Sequence, residues 1–291
     1  MHKRRLAAAL ALPVLAMLLV LAGCEEEDTI FDWVESSSAQ ASVSETVELT
    51  FDAPSQLSLD CSTYDGAVAV HGSPDLQTVS VTVTRTARAQ TEDEANDRLQ
   101  RMRYTATLDD RTLLLEYDND DQDADLHDRC GVAFHVRVPS DTSVFISTSN
   151  GAITIADVTG DALAVTSNGR IEAVRIRGDL EADTSNGTLQ IEDVSGDILA
   201  QTSNGSIAFS GRPANAANVS LRTSNGRITV RVPSDASVAF SARTSNARIE
   251  TDLDLVGDTS GDNWDCALNP PATATLRLRT SNGPIHLMRL P

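Results

Sequence analysis

The sequence predicts an all-β protein: a parallel β-solenoid with rungs of about 18–21 residues and one short helical insertion. Three observations carry this expectation. Thr-Ser-Asn recurs seven times, with asparagines at Asn150, Asn168, Asn186, Asn204, Asn225, Asn246 and Asn282; the steps are 18, 18, 18, 21, 21 and 36 residues, and Gly follows six of the seven. A period of this length marks an array whose units bury their apolar faces only by stacking on one another. Apolar positions alternate on both sides of each Ser-Asn, which is the period of a strand. Aromatic residues are only 4% against 41% apolar overall, so the core has to be layered from Val, Ile, Leu and Ala.

The N-terminus reads as an address. His2-Lys3-Arg4-Arg5 is a basic start, followed by the apolar run Leu6 to Leu21 and then Leu21-Ala22-Gly23-Cys24. A signal peptide with a small-residue cleavage site, or an uncleaved anchor, fits this pattern. It also resembles a bacterial lipoprotein signal, in which residues 1–23 are removed and Cys24 is acylated. Acyl chains hold a protein to a membrane without spanning it. Removing residues 1–23 deletes Lys3, Arg4 and Arg5 and takes the formal charge from −19 to −22. Residues 24–45, acidic and then Ser/Ala-rich without apolar period, read as a flexible tether, and residues 46–291 as one solenoid domain.

Strands are expected from Val47 to Ala87, where Leu57, Leu59, Val68, Val70, Val79, Val81 and Val83 alternate with polar residues. Thr91-Glu92-Asp93-Glu94 forms a capping-box pattern, and Ala95, Leu99 and Met102 follow at helical spacing, so a helix is expected within Thr91–Tyr104. Thr112–Tyr117 is a further strand, and an acidic loop runs from Asp118 to Asp128. The helix and this loop make an insertion at about 88–130.

The repeats align by column. Four residues before each Thr stand Val144, Ala162, Leu180, Ile198, Val219, Phe240 and Leu276, and five after it Ile153, Ile171, Leu189, Ile207, Ile228, Ile249 and Ile285. Each repeat is therefore strand, turn, strand with one apolar face. A second turn recurs as Gly160-Asp161, Gly178-Asp179 and Gly196-Asp197. A two-residue step keeps Thr and Asn in phase with the inward positions, which predicts ladders of both. Asn-Gly between alternating strands is also a strong hairpin signal, so an antiparallel β-hairpin repeat is the alternative. Against it, a regular period puts like over like, and an amide ladder satisfies groups that would each cost about 1–3 kcal/mol if buried unpaired. Earlier residues fit the same frame: Leu59, Cys61, Asp65-Gly66, Val68 and Val70, and then Phe134, Val136 and Val138. The segment Asp252–Ala274 is an excursion before the last unit, a surface loop or a binding loop.

Catalytic patterns are sparse. The five histidines fall in no ligand spacing, and Gly257-Asp258-Thr259-Ser260-Gly261 has its Ser in the wrong place for a nucleophile elbow. Asp121, Asp123 and Asp125 resemble the opening of a calcium loop but lack its turn Gly and twelfth-position Glu, which leaves them a weak Ca²⁺ candidate; no other cofactor is implied. Asp157, Asp193 and the Gly-Asp corners form an acidic line. Paired carboxylates of that kind would serve a carbohydrate-active β-helix enzyme, but their spread along the repeat suits turn formation better. Export permits a disulfide among Cys61, Cys130 and Cys266, with Cys61–Cys130 the plausible pair. The acidic balance argues against nucleic acid, whose binding rests on Lys and Arg.

Thr166-Ser-Asn-Gly-Arg-Ile-Glu and Thr184-Ser-Asn-Gly-Thr-Leu-Gln-Ile, joined by Val194-Ser-Gly-Asp-Ile198, resemble the bacterial "putative adhesin" domain family of unknown function over roughly residues 45–290. The resemblance implies a β-solenoid and an extracytoplasmic place, on the cell surface or in the periplasm, and supplies no catalytic or ligand residue. The expectation is thus a membrane-anchored, non-enzymatic adhesion or binding scaffold with an envelope or extracellular partner; a self-assembling envelope protein is the structural alternative.

Overall fold

A computed structural model describes residues 41–117, 126 and 129–290. The signal segment, Cys24 and the acidic residues Asp121, Asp123 and Asp125 lie outside the described residues. Two sheets face each other across a single core, one of 11 strands and one of 12, and the chain alternates between them.

The regular rungs explain the architecture. β8 (Ser143–Thr148), β10 (Ala162–Thr166), β12 (Leu180–Thr184), β14 (Ile198–Thr202) and β16 (Asn218–Thr223) lie side by side in the 12-stranded sheet. β9 (Ile153–Ala156), β11 (Ile171–Val174), β13 (Leu189–Glu192), β15 (Ile207–Ser210) and β17 (Ile228–Val232) do so in the other. All these pairings are parallel and in register, Ala164 on Ala182 and Ile171 on Leu189, so the hairpin alternative is not adopted. The reason is packing: a parallel register puts every Ile, Leu and Val column inward at once. Each such side chain taken fully from water contributes roughly 1.5–3 kcal/mol. Ile153, Ile171, Leu189 and Ile228 are wholly buried.

At the N-terminal end the order changes. β2 (Ser58–Thr63) and β3 (Val68–Ser73) form a rung, as the sequence frame predicts, and it stacks directly under β8 and β9. β4 (Thr78–Ala89), α1 (Glu92–Arg101), β5 (Thr105–Asp109), β6 (Thr112–Glu116) and β7 (Cys130–Pro139) follow in the chain. β6 and β7 supply another rung on the outer side of β2 and β3. Beyond it the strands reverse: β5 is antiparallel to β6, β4 to β7, and β1 (Ala41–Asp52) to β4. β1 begins at Ala41, so residues 41–45, expected as tether, are strand; Glu45 reaches Arg85 of β4 at 2.6 Å. In α1 the Thr91 hydroxyl accepts from the Glu94 N–H at 3.3 Å, and Ala95, Leu99 and Met102 are buried.

The C-terminal end differs from the sequential stack that the column alignment suggests. β18 (Val238–Arg243) and β19 (Ile249–Thr251) make the outermost rung, whereas the final unit, β22 (Ala274–Arg279) and β23 (Ile285–Arg289), slides between it and β16/β17. The excursion makes this possible. Its β21 (Asn263–Leu268) pairs antiparallel with β18 and its β20 (Val256–Asp258) antiparallel with β21, which extends the 12-stranded sheet, and Trp264, Cys266 and Leu268 are buried there. Return from β21 then leads the chain back to the vacant side of β18.

Candidate binding surface

Each rung turns at its Thr-Ser-Asn-Gly, and the turn is held by three side-by-side columns. Thr166, Thr184 and Thr202 are buried. The Thr184 hydroxyl donates to the Gly169 carbonyl of the previous rung at 3.2 Å and accepts from its own rung's Gly187 N–H at 3.1 Å. The glycines form the second column. A Cβ on Gly187 would stand 1.7 Å from the Gly169 carbonyl oxygen, so the close approach requires glycine.

Asparagines form the third. Asn168 Nδ2 donates to Asn150 Oδ1, Asn186 to Asn168, Asn204 to Asn186, and Asn225 to Asn204, each at 2.7 Å. Asn282 then donates to Asn225 and Asn246 to Asn282, following the spatial order of rungs. At the other end Asn150 donates to Asp65. These asparagines are exposed, not in phase with the core. The chain bends at Ser-Asn, which breaks the two-residue step after Thr and turns the amides along the solenoid edge.

The acidic line also has structural partners. Asp161 accepts from the Asp179 N–H at 2.9 Å, Asp179 from that of Asp197 at 2.8 Å, and Asp197 from that of Asn218 at 2.8 Å. Asp157, Arg175 and Asp193 share a corner with φ of 64°, 54° and 52°. Arg175 grips Asp157 through two hydrogen bonds of 2.6 and 2.7 Å, and this pairing holds the Asp157 carboxyl below its ordinary range. These carboxylates are spread along successive rungs. Among the described residues no group of three or more His, Cys, Asp or Glu is placed to hold a metal ion.

The cysteines are buried in different strands, Cys61 in β2 of one sheet and Cys130 in β7 of the other. Cys61 is a free thiol packed in register between Leu115 and Ile146, so the Cys61–Cys130 bridge is not formed. Burial pushes its thiol far above the usual range, with Asp60 adding to the effect. Cys266 is raised to about 11, by burial first and by Asp265 next.

What remains for contact is the outward side of the 12-stranded sheet, built from the residues three and one before each Thr. The first column reads Phe145, Leu163, Glu181, Leu199, Ser220, Arg277 and Ser241 in spatial order, the second Ser147, Val165, Asp183, Gln201, Arg222, Arg279 and Arg243. Phe145, Val165 and Leu199 are exposed at 38–39% and make its N-terminal half apolar. Its C-terminal half is cationic. Sequence reading followed only the inward columns and so missed this face, although the same alignment contains it. Two open grooves flank the opposite sheet's N-terminal end; the larger, of about 500 Å³, is floored by Gly66, Gly131 and Gly151 and rimmed by Asp65, Arg88 and Asn150.

No helix among the described residues is long and apolar enough to cross a membrane. A family model described as Toastrack DUF4097 matches residues 133–288. No curated protein matches the chain. Among solved structures, a "putative cell adhesion protein" from Clostridium sporogenes is 11% identical, covering 84% of this chain and 100% of its own, with a TM-score of 0.39. A "putative adhesin" from Bacteroides fragilis is 9% identical over 84% of this chain and 97% of its own, at 0.42. A "putative lipid binding protein" from Parabacteroides distasonis is 10% identical over 85% and 97%, at 0.34.

Proposed function

This chain belongs to the Toastrack DUF4097 family, and from that premise we propose that it is a membrane-anchored extracytoplasmic scaffold that binds or adheres without catalysis. The observation that carries this reading is the division of labour around each rung. Thr, Asn, Gly and the corner carboxylates are engaged in holding one rung to the next, while the outward columns of the 12-stranded sheet vary from rung to rung and stay exposed or half-exposed. A rigid sheet with a variable face suits recognition of a surface. Support for the anchor is the Leu21-Ala22-Gly23-Cys24 sequence at the end of the apolar run.

Two measurements test the parts separately. The full chain and its Cys24→Ser variant are compared in membrane fractionation; the variant should lose acyl labelling and detergent-phase partitioning, and equal partitioning of both would refute anchoring through Cys24. Full-chain protein is then displayed on zwitterionic vesicles and offered intact cells and purified envelope polysaccharide. Retention of either supports the scaffold, and retention of neither overturns it.

A further inference from the structure

The cationic half of the outward face stands apart from the rest of the molecule. Residues 41–217 hold 29 Asp and Glu against twelve Arg, whereas residues 218–290 hold seven against eight. Four of those eight arginines meet on three adjacent strands. Arg222 of β16 is in register with Arg279 of β22, and Arg279 with Arg243 of β18. Arg277 lies two residues before Arg279 on the same face, in register with Ser220 and Ser241. Strand spacing puts the three columnar cations at steps of about 4.8 Å, with the fourth about 6.6 Å to the side. All four are exposed.

Several arginines elsewhere in the array have a close acidic partner: Arg175 has Asp157 at 2.6 Å, Arg212 has Asp235 at 2.6 Å, and Arg85 has Glu45. Within this cluster, among the described residues, only Arg243 has a carboxylate within 4 Å, that of Asp265 at 3.9 Å. Like charges in register across strands oppose pairing. The cluster therefore contributes nothing to holding the rungs together and offers four planar guanidinium forks to solvent, a geometry that matches carboxylate, sulfate or phosphate.

We propose that Arg222, Arg243, Arg277 and Arg279 form a docking surface for an acidic polysaccharide, whose recurring anionic groups lie along the solenoid axis over the arginine column. This names the partner class for the scaffold reading above and rests on it. Charge complementarity and line geometry select this occupant. Gln201 and Asn263 continue the column on either side, and Ser220 and Ser241 flank Arg277, which gives a hydroxyl-rich polymer neutral hydrogen-bonding partners. A nucleic acid strand would need stacking platforms, and the outward positions of β16, β18 and β22 carry no aromatic ring. An anionic bilayer presents a plane that meets the acidic remainder of the protein as well, and these strands offer no outward apolar side chain larger than Ala239 to insert. A single polymer chain reaches the column alone.

The test uses full-chain protein on zwitterionic vesicles with fluorescent polygalacturonate and heparin as the anionic probes and dextran as the neutral one. Both anionic polymers should bind, dextran should not, and raising salt from 50 to 300 mM should weaken binding at least tenfold. The quadruple variant R222Q/R243Q/R277Q/R279Q should lose tenfold or more at unchanged circular dichroism. R279Q alone should lose about threefold, which keeps the test open if the quadruple variant folds poorly, and R175Q should bind as wild type. Binding of the anionic polymers by the R279Q and quadruple variants equal to that of wild type, or retention of dextran equal to that of the anionic polymers, would overturn the proposal while leaving the scaffold reading standing. Capture of phosphatidylglycerol vesicles with no polymer bound, or clustering of the displaying vesicles through the arginines alone, would overturn it in favour of a lipid surface or a second copy.

Discussion

The middle of the array and its two ends obey different rules. From β8 to β17 chain order equals spatial order, each strand runs parallel to its neighbours, and every rung has one Thr-Ser-Asn-Gly corner. At both ends the order breaks and a rung is inserted out of turn; antiparallel strands finish both sheets at the N-terminal end and the 12-stranded sheet at the C-terminal end, where the 11-stranded sheet closes on the parallel β19. The corner residues change in the same places: Asp65 stands at one end of the amide column and Ala247 follows Asn246 at the other. A rung with neighbours on both sides must satisfy two interfaces with one set of residues, and a terminal rung only one. Reversed strands also withhold the register that another parallel rung would need, which blunts the open edges of a stack.

The largest effect that tests this contrast is steric. Gly187→Ala places a Cβ where the Gly169 carbonyl oxygen allows 1.7 Å, with rungs packed on both sides, and should cost about 3 kcal/mol or more in urea unfolding. Ala247 already carries a Cβ at the equivalent corner. That corner is half-exposed, and the N–H to Thr hydroxyl bond made by six glycines is not among those formed by Ala247. Ala247→Gly should therefore change stability by less than about 1 kcal/mol. Comparable losses in the two variants would mean that stacking does not impose the glycine.

Next in size is the threonine column. Thr184→Val keeps the volume but leaves the Gly169 carbonyl and the Gly187 N–H without their shared partner, a loss of about 2 kcal/mol for two buried groups. Thr244 makes only the carbonyl bond, to Gly283 at 3.0 Å. Thr244→Val should cost about half as much, by the same denaturation measurement. Equal costs would erase the distinction between middle and end.

Much of this was legible in the residues. The columns ending in Thr184 and Thr202 predicted a parallel register because only stacking in phase buries Ala182 with Ala200 and Leu180 with Ile198. Asp65-Gly66 and Phe134-Val136-Val138 announced the early rungs through the same alternation. What could not be read was spatial order. Inserting β22 and β23 inside β18 and β19 leaves every column intact, since each position still meets an apolar neighbour, so periodicity carries no record of it. The exposure of the asparagines was missed for a related reason: alternation fixes the phase of a strand but not the residue at which a corner ends it. The arginine face was present in the alignment as polar residues between apolar columns, and only the stacking of Arg279 between Arg222 and Arg243 makes four scattered arginines one surface.

The smallest expected effect concerns the amide column, and it bears most directly on why Asp65 and the asparagines differ. Every asparagine donates through Nδ2 to the rung before it and, except at the far end, accepts through Oδ1 from the rung after it. Asp65 occupies the one place where accepting suffices, since it receives the Asn150 amide and passes nothing on. Asn186→Asp removes the donor that serves Asn168 and sets a carboxylate oxygen against an amide oxygen. At neutral pH this should cost about 1 kcal/mol, because the column is exposed and water replaces part of the bond. Protonation restores an O–H donor, so the penalty should shrink as pH falls through the carboxylate range near about 4. Asp65→Asn should cost less than Asn186→Asp, since an amide accepts there as well as a carboxylate does. Thermal melts of both variants from pH 3 to 7 read the difference: a pH-independent loss for Asn186→Asp, or a larger loss for Asp65→Asn, would show that the column's direction of donation does not set which residue each rung tolerates.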